Sequence, residues 1–112
     1  MKVIIAGGRN YKFTQLDLDT LDTLFKQYLS THLVTGKCSG VDAEGEKWAR
    51  SIGLHIKPFP ADWNKYFKAA GPIRNREMAK YAQAVILFPG DDGTQSMYKE
   101  AVRAGIKIID LR

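Results

Sequence analysis

Three short glycine-containing segments combine flexible turns with polar or basic side chains. They are residues 7–11 (GGRNY), 36–40 (GKCSG) and 89–94 (PGDDGT). Glycine lets backbone amides approach a ligand closely, and amides at the start of a helix bind phosphate groups well. We therefore expect these segments to hold an anion. The candidate ligand-binding residues within them are Gly7, Gly8, Arg9, Tyr11, Gly36, Lys37, Ser39, Gly40, Pro89, Gly90, Asp92, Gly93 and Thr94.

The sequence lacks the patterns of several common kinds of site. None of the three segments has the G-x-G-x-x-G pattern of dinucleotide-binding enzymes or the G-x-x-x-x-G-K-[ST] pattern of nucleoside-triphosphate-binding loops. His32 and His55 begin predicted strands, away from the glycine-containing turns, and no His or Cys spacing suits a metal. Cys38 lies in one segment, but a nucleophilic thiol needs a base partner, and none is identifiable. We therefore expect no nicotinamide dehydrogenase, no NTPase and no metal site.

The elements that must position these segments alternate between apolar strands and amphipathic helices. Continuous apolar runs indicate strands buried on both faces, and apolar residues three and four apart indicate helices. The expected strands are residues 3–6, 32–35, 54–59, 84–88 and 106–111, and the expected helices are 14–30, 39–52, 72–82 and 94–104. Thr14 with Asp17, and Ser39 with Asp42, are expected to cap the first two helices. Residues 60–72 show no period and are expected to form an irregular loop.

This alternation predicts an α/β fold with one Rossmann-like domain over residues 1–112. Its doubly wound parallel sheet of about five strands should have the order 3-2-1-4-5, with helices on both faces. In such a sheet, ligands bind outside the carboxyl ends of the strands where the winding reverses, here strands 1 and 4. The sequence therefore predicts that the three glycine-containing segments meet at one edge of the sheet.

Composition and charge limit the class of protein. The chain is 45% hydrophobic and 26% charged, which is ordinary for a globular domain. Seventeen basic against 12 acidic residues give a net charge of +5, which favours anionic partners. The basic residues are scattered among acids, so nucleic acid is the less favoured partner. The single cysteine predicts a reducing cytoplasm, and no apolar run is long enough to predict membrane association.

The segment from residue 60 to 72 contains two further ligand-binding candidates, Asp62 and Trp63. Trp63 or Tyr11 could stack on a nucleobase, which requires only an exposed flat ring. For Trp63 the alternative is packing that pins the loop onto the domain. Asp62 or Asp42 could accept hydrogen bonds from ribose hydroxyls, and for Asp42 the alternative is helix capping.

Three stretches carry a resemblance to a known family: VTGKCSGVDAEGEKWA, PADWNKYFKAAGPIRNREM and AVILFPGDDGT. Their order and spacing resemble the small YspA-like branch of the SLOG superfamily. That superfamily also contains the LOG phosphoribohydrolases and the DprA/Smf DNA-processing proteins. The resemblance implies a Rossmann-like fold and a nucleotide-derived ligand, such as an ADP-ribose-like molecule. It implies no cofactor other than a bound nucleotide.

The resemblance also implies roles for residues of the fourth predicted helix. Arg74, Glu77 and Met78 match the R-x-x-E-M stretch of LOG enzymes, whose arginine serves the active site. It therefore implies that Arg74, with its neighbour Asn75, binds the ligand. Arg74 and Glu77 are the only candidates for catalysis, and neither is assigned that role.

The segment from residue 89 to 94 resembles the P-G-G-x-G-T loop that holds phosphate in LOG enzymes, and it departs from that loop in two ways. Asp91 replaces the second glycine, and Asp92 follows it. Carboxylates repel a phosphate by ~4 kcal/mol per unit pair at 4 Å when the effective dielectric constant is near 20. Unless they point outward, these acids should reject extra phosphates or accept ribose hydroxyls. LOG enzymes also carry a glutamate just after the G-T, where this chain has Ser96 and Met97.

These observations favour a module that binds a nucleotide-derived small molecule, such as an ADP-ribose-like or cyclic nucleotide signal, for sensing or sequestration. One alternative is a LOG-like hydrolase of the N-glycosidic bond of a nucleoside monophosphate, which the missing glutamate disfavours. The second alternative is DprA-like binding of single-stranded DNA. Apolar side chains on the helices and the LOG resemblance favour a homodimer.

Overall fold

A computed structural model describes all 112 residues. The strands are β1 Lys2–Ala6, β2 His32–Thr35, β3 His55–Pro58, β4 Ala84–Leu87 and β5 Lys107–Asp110. The helices are α1 Gln15–Gln27, α2 Val41–Ser51, α3 Trp63–Tyr66, α4 Ala70–Tyr81 and α5 Asp92–Ala104, with a 3-10 turn at Phe67–Ala69. None of the helices is long and apolar enough to cross a bilayer.

The five strands form one sheet, entirely parallel, in the order β3-β2-β1-β4-β5. The predicted fold class and strand order are confirmed. β1 lies at the centre and pairs with both β2 and β4, so the winding reverses between β1 and β4. The parallel arrangement explains why the strands read as continuous apolar runs, because both faces of each central strand are covered.

Two separate apolar cores cover the two faces of the sheet. On one face, Val3 and Ile5 of β1 pack with buried residues of α1 and α2, among them Phe25 and Trp48. On the other face, Ile4 packs with buried residues of α4 and α5. Complete burial of a side chain such as Ile4 stabilises the fold by roughly 1.5–3 kcal/mol. The helices on both faces are thus held by alternating residues of the same strands.

The first helix cap is confirmed and the second is wrong. The Thr14 hydroxyl accepts a hydrogen bond from the Asp17 amide, and the Asp17 carboxylate accepts one from the Thr14 amide. In α2, by contrast, Gly40 rather than Ser39 takes the cap position, with φ of +73° and no capping side chain. The helix therefore begins at Val41, and the Asp42 carboxylate accepts a hydrogen bond from the amide of Cys38 instead.

Residues 60–72 are more regular than their sequence predicts. Asp62 caps α3, since its carboxylate accepts a hydrogen bond from the Lys65 amide at 3.1 Å. α4 begins at Ala70, two residues before the predicted start at Pro72. Proline is tolerated there because amides of the first helical turn have no partner within the helix. At the other boundaries α1 ends at Gln27 rather than near Ser30, and α5 begins at Asp92 rather than Thr94.

Candidate functional site

The three glycine-containing turns meet at the carboxyl edge of the sheet, as predicted. The Gly8 amide donates to the Pro89 carbonyl at 2.9 Å, which ties the turn after β1 to the turn after β4. The Val41 amide donates to the Gly8 carbonyl at 3.2 Å, which ties the turn after β1 to the start of α2. A side chain at Gly40 would overlap the backbone of Arg9, so the two turns approach as closely as glycine permits.

Next to this junction lies a cavity of about 470 Å³. Its volume is within the usual ~300–1,000 Å³ of small-molecule sites. Besides Ala6 its wall consists of Gly7 and Arg9 after β1, Cys38 and Asp42 around the start of α2, Trp63 and Lys68 from the segment before α4, Gly71, Pro72, Arg74, Asn75 and Met78 of α4, and Asp91, Asp92, Gly93, Thr94, Ser96 and Met97 around the start of α5. The cavity therefore opens at the place where the winding reverses.

Eight of the predicted ligand-binding residues line this cavity, and the remainder do not. The eight are Gly7, Arg9, Trp63, Arg74, Asn75, Asp92, Gly93 and Thr94. Those outside the lining are Gly8, Tyr11, Gly36, Lys37, Ser39, Gly40, Asp62, Pro89 and Gly90. Glu77, the second catalytic candidate, lies on the exposed side of α4 and does not line it either.

Several residues outside the lining have structural partners of their own. Lys37 forms an ion pair with the buried Glu46 of α2, with 3.0 Å between Nζ and Oε2. The Tyr11 hydroxyl donates a hydrogen bond to the Asp17 carboxylate at 2.7 Å, and the centre of its ring lies 5.9 Å from that of Phe88. Lys37 and Tyr11 thus stabilise the loops around the cavity.

Arg74 is the best-anchored cation of the cavity wall. Its Nη1 donates to the Gly36 carbonyl at 2.5 Å, and its Nε donates to the Asn75 side-chain oxygen at 2.9 Å. Both terminal nitrogens lie 3.7 Å from the Cys38 sulfur, a weak acceptor. Asn75 in turn donates to the Ser96 hydroxyl at 3.2 Å. The guanidinium group is therefore held in place while part of its donor capacity remains available for an anion.

The start of α5 presents carboxylates where a phosphate-binding loop would present free amides. Asp91 caps the helix, its Oδ1 accepting a hydrogen bond from the Gly93 amide at 3.3 Å, and Asp92 also lines the cavity. The Thr94 hydroxyl, in a residue only 3% exposed, has no hydrogen-bond partner in the protein. The Gly93 amide is thus already occupied by the carboxylate of Asp91.

Asp42 is a half-buried residue whose carboxylate lies in the cavity wall. Its Oδ2 accepts a hydrogen bond from the Cys38 amide at 3.1 Å. Burial raises the pKa of Asp42 to about 6; the Cys38 amide and the positive charge of Arg74 oppose this rise, and the negative charge of Glu46 adds to it. From the sequence, Asp42 is expected to cap α2 or to contact ribose. It does not cap the helix, and it lines the cavity instead.

The raised pKa of Asp42 makes stability depend on pH in a definite direction. The folded protein binds this proton more tightly than the unfolded chain, in which an aspartate titrates near ~3.9. The contribution of this proton to the free energy of unfolding is therefore fully present below about pH 4. It is lost as the pH rises through about 6. We expect the stability of Asp42→Asn, relative to wild type, to increase by about 2–3 kcal/mol between pH 4 and pH 8 in urea unfolding. A difference in unfolding free energy between Asp42→Asn and wild type that does not change with pH would contradict the raised pKa.

One wall residue that the sequence analysis missed, Lys68, is informative about the site. Lys68 adds a third cation to Arg9 and Arg74, and it comes from the segment expected to be irregular. Together these cations balance the three wall carboxylates Asp42, Asp91 and Asp92. No group of three or more His, Cys, Asp or Glu side chains is arranged to hold a metal ion. The cavity thus offers both positive groups and hydrogen-bond acceptors to a ligand.

The sequence is similar to one protein family and to one phage protein. Residues 1–66 match the model of the YspA, cpYpsA-related SLOG family. Over an alignment of 118 positions the chain is 34% identical to the Gene 61 protein of Mycobacterium phage D29, covering 97% of this chain and 94% of that protein.

Two solved structures share the fold. DNA processing protein A (DprA) from Streptococcus pneumoniae superposes with a TM-score of 0.74 at 16% identity over 97% of this chain. The protein TM1055 superposes with a TM-score of 0.72 at 18% identity, covering 96% of this chain and 71% of its own. The present chain spans about half of the DprA chain, 49%. At these identities the likeness concerns the fold alone.

Proposed function

The chain belongs to the YspA, cpYpsA-related SLOG family, and from this premise we propose that it binds a nucleotide-derived small molecule in the cavity beside β1 and β4. The observation that carries the proposal is the cavity itself, of about 470 Å³, with Arg74 anchored in its wall. A ligand of the ADP-ribose or cyclic-nucleotide kind fits the site's chemistry, because it combines phosphate with hydroxyls and a flat base.

Each part of such a ligand has a complementary group in the wall. Arg9, Lys68 and Arg74 supply positive charge for a phosphate, and a guanidinium can bind it through two parallel hydrogen bonds. Trp63 lines the cavity with 48% of its surface exposed, which suits stacking on a base. The carboxylates at the start of α5 favour a ligand with few phosphates. Binding of this kind would serve sensing or sequestration of the nucleotide.

A thermal-shift panel tests the proposal. AMP, cyclic AMP, ADP-ribose and NAD would each be added to wild-type protein in a range up to millimolar. A ligand at 100 times its Kd stabilises the folded state by ~2.7 kcal/mol, which for a domain of this size raises Tm by about 10 °C. We expect at least one of the four nucleotides to raise Tm by about this amount. An unchanged Tm with all four nucleotides would reject the proposed function.

The half-buried carboxylate of Asp42 favours one second candidate, hydrolysis of an N-glycosidic bond. A carboxyl group with a pKa raised to about 6 is suited to proton transfer near neutral pH. In this reading the protein would release free adenine from AMP, and Asp42→Asn would abolish the release. Chromatography of AMP after incubation at high protein concentration separates the two functions, since a binding module leaves the nucleotide intact.

A further inference from the structure

The carboxylate of Asp42 is incompletely satisfied by the protein. The amide of Cys38 is the only group of the protein that donates a hydrogen bond to it. None of the ion pairs in the structure includes Asp42. An ionised carboxylate has room for about four hydrogen bonds, and burying it with fewer costs free energy. The cavity side of this group is therefore suited to a ligand that donates hydrogen bonds.

The charges around Asp42 indicate what kind of donor fits. Arg74 on α4 and Glu46 on α2 are the charged groups that act on it. An ammonium group of a ligand bound at Asp42 would lie close to the guanidinium of Arg74, which repels it. Hydroxyl groups carry no such penalty, and two neighbouring hydroxyls can donate to the two oxygens of one carboxylate. A vicinal diol is thus the best-matched partner.

The other two wall carboxylates are less suited to this task. Asp91 already accepts the Gly93 amide as the cap of α5, and both Asp91 and Asp92 are exposed at the rim. Asp42 alone of the three is half-buried, and it lies close to Arg74, the cation that would hold a phosphate. Dinucleotide-binding folds place a carboxylate on ribose hydroxyls for the same chemical reason.

We infer that Asp42 binds the ribose diol of the ligand and thereby makes the cavity selective for ribonucleotides over 2′-deoxyribonucleotides. This inference rests on the proposed nucleotide-binding function. Loss of a hydrogen bond to a charged group typically lowers affinity by about 10- to 100-fold. Wild-type protein should therefore bind AMP about 10- to 100-fold more tightly than 2′-deoxy-AMP.

Calorimetric titration of AMP and 2′-deoxy-AMP into wild type and Asp42→Asn provides the test. The carboxamide keeps the shape of the side chain and an acceptor for the Cys38 amide, and the affinity ratio should fall to within about threefold. Asp92→Asn is the matched control: it removes the same charge from the same cavity wall. This control should keep the wild-type ratio of the two affinities.

The outcomes separate this inference from the proposed function. Equal binding of the two nucleotides by wild type, or an unchanged ratio in Asp42→Asn, overturns the role of Asp42 and leaves nucleotide binding intact. Failure of wild type to bind either nucleotide rejects the proposed function, and the role of Asp42 with it. Thermal unfolding of each variant shows whether the fold is preserved.

Discussion

Replacement of Gly40 by alanine is expected to destabilise the protein by about 3 kcal/mol. Gly40 has φ of +73°, a conformation that costs energy for any residue with a side chain. The added methyl group would also overlap the backbone carbonyls of Gly8 and Arg9. Because neither backbone group can rotate away, the turn after β1 must shift. Urea unfolding at neutral pH would measure the loss.

Gly53→Ala is the matched control for this substitution. Gly53 has φ of +76°, but no atom lies within 4 Å of the position that a side chain would take. It therefore isolates backbone strain, which we expect to cost about 1 kcal/mol. An equal loss in the free energy of unfolding for Gly40→Ala and Gly53→Ala would contradict the close approach of the turns after β1 and β2.

Replacement of Arg74 by glutamine is expected to weaken AMP binding by about 10- to 100-fold, the usual effect of losing a charged hydrogen-bond donor. Arg74 is held by the Gly36 carbonyl and Asn75, so its orientation in the cavity is fixed before a ligand arrives. Such pre-organisation makes its contribution larger than that of a mobile surface cation. Titration calorimetry with AMP measures the change in Kd.

Arg76→Gln serves as the control on the same helix. Arg76 carries the same charge but is exposed, pairs with Glu100 at 3.5 Å and does not line the cavity. It should leave the Kd for AMP within about twofold of wild type, because Arg76 does not line the cavity and solvent screens its charge. Equal losses in the two variants would indicate that overall charge, rather than the cavity, governs binding.

The sheet could be predicted because its signals are local and agree with one another. Val3 to Ala6 form a continuous apolar run that ends at two glycines, and the other strands repeat this pattern. Buried parallel strands require such runs, and the alternation with helices leaves few permitted topologies. The edge where the turns meet follows from strand order alone.

The direction of individual side chains at that edge could not be predicted. Lys37 has φ of +61° and pairs with Glu46, nine residues further along the chain, and no short pattern reveals that partner. Gly40 rather than Ser39 caps α2, which leaves Asp42 free to face the cavity. Lys68 lies in a segment whose short helical turns have no periodic signal. The positions of these side chains depend on tertiary contacts between loops.

Native mass spectrometry tests most directly whether the cavity holds a nucleotide. The wild-type protein, as purified from cells and after mixing with AMP, cyclic AMP or ADP-ribose, would be compared with Arg74→Gln. We expect a wild-type species heavier than the chain by the mass of one nucleotide, lost on denaturation and strongly reduced in Arg74→Gln. Observation of the bare chain alone in every wild-type sample would contradict nucleotide binding at this site.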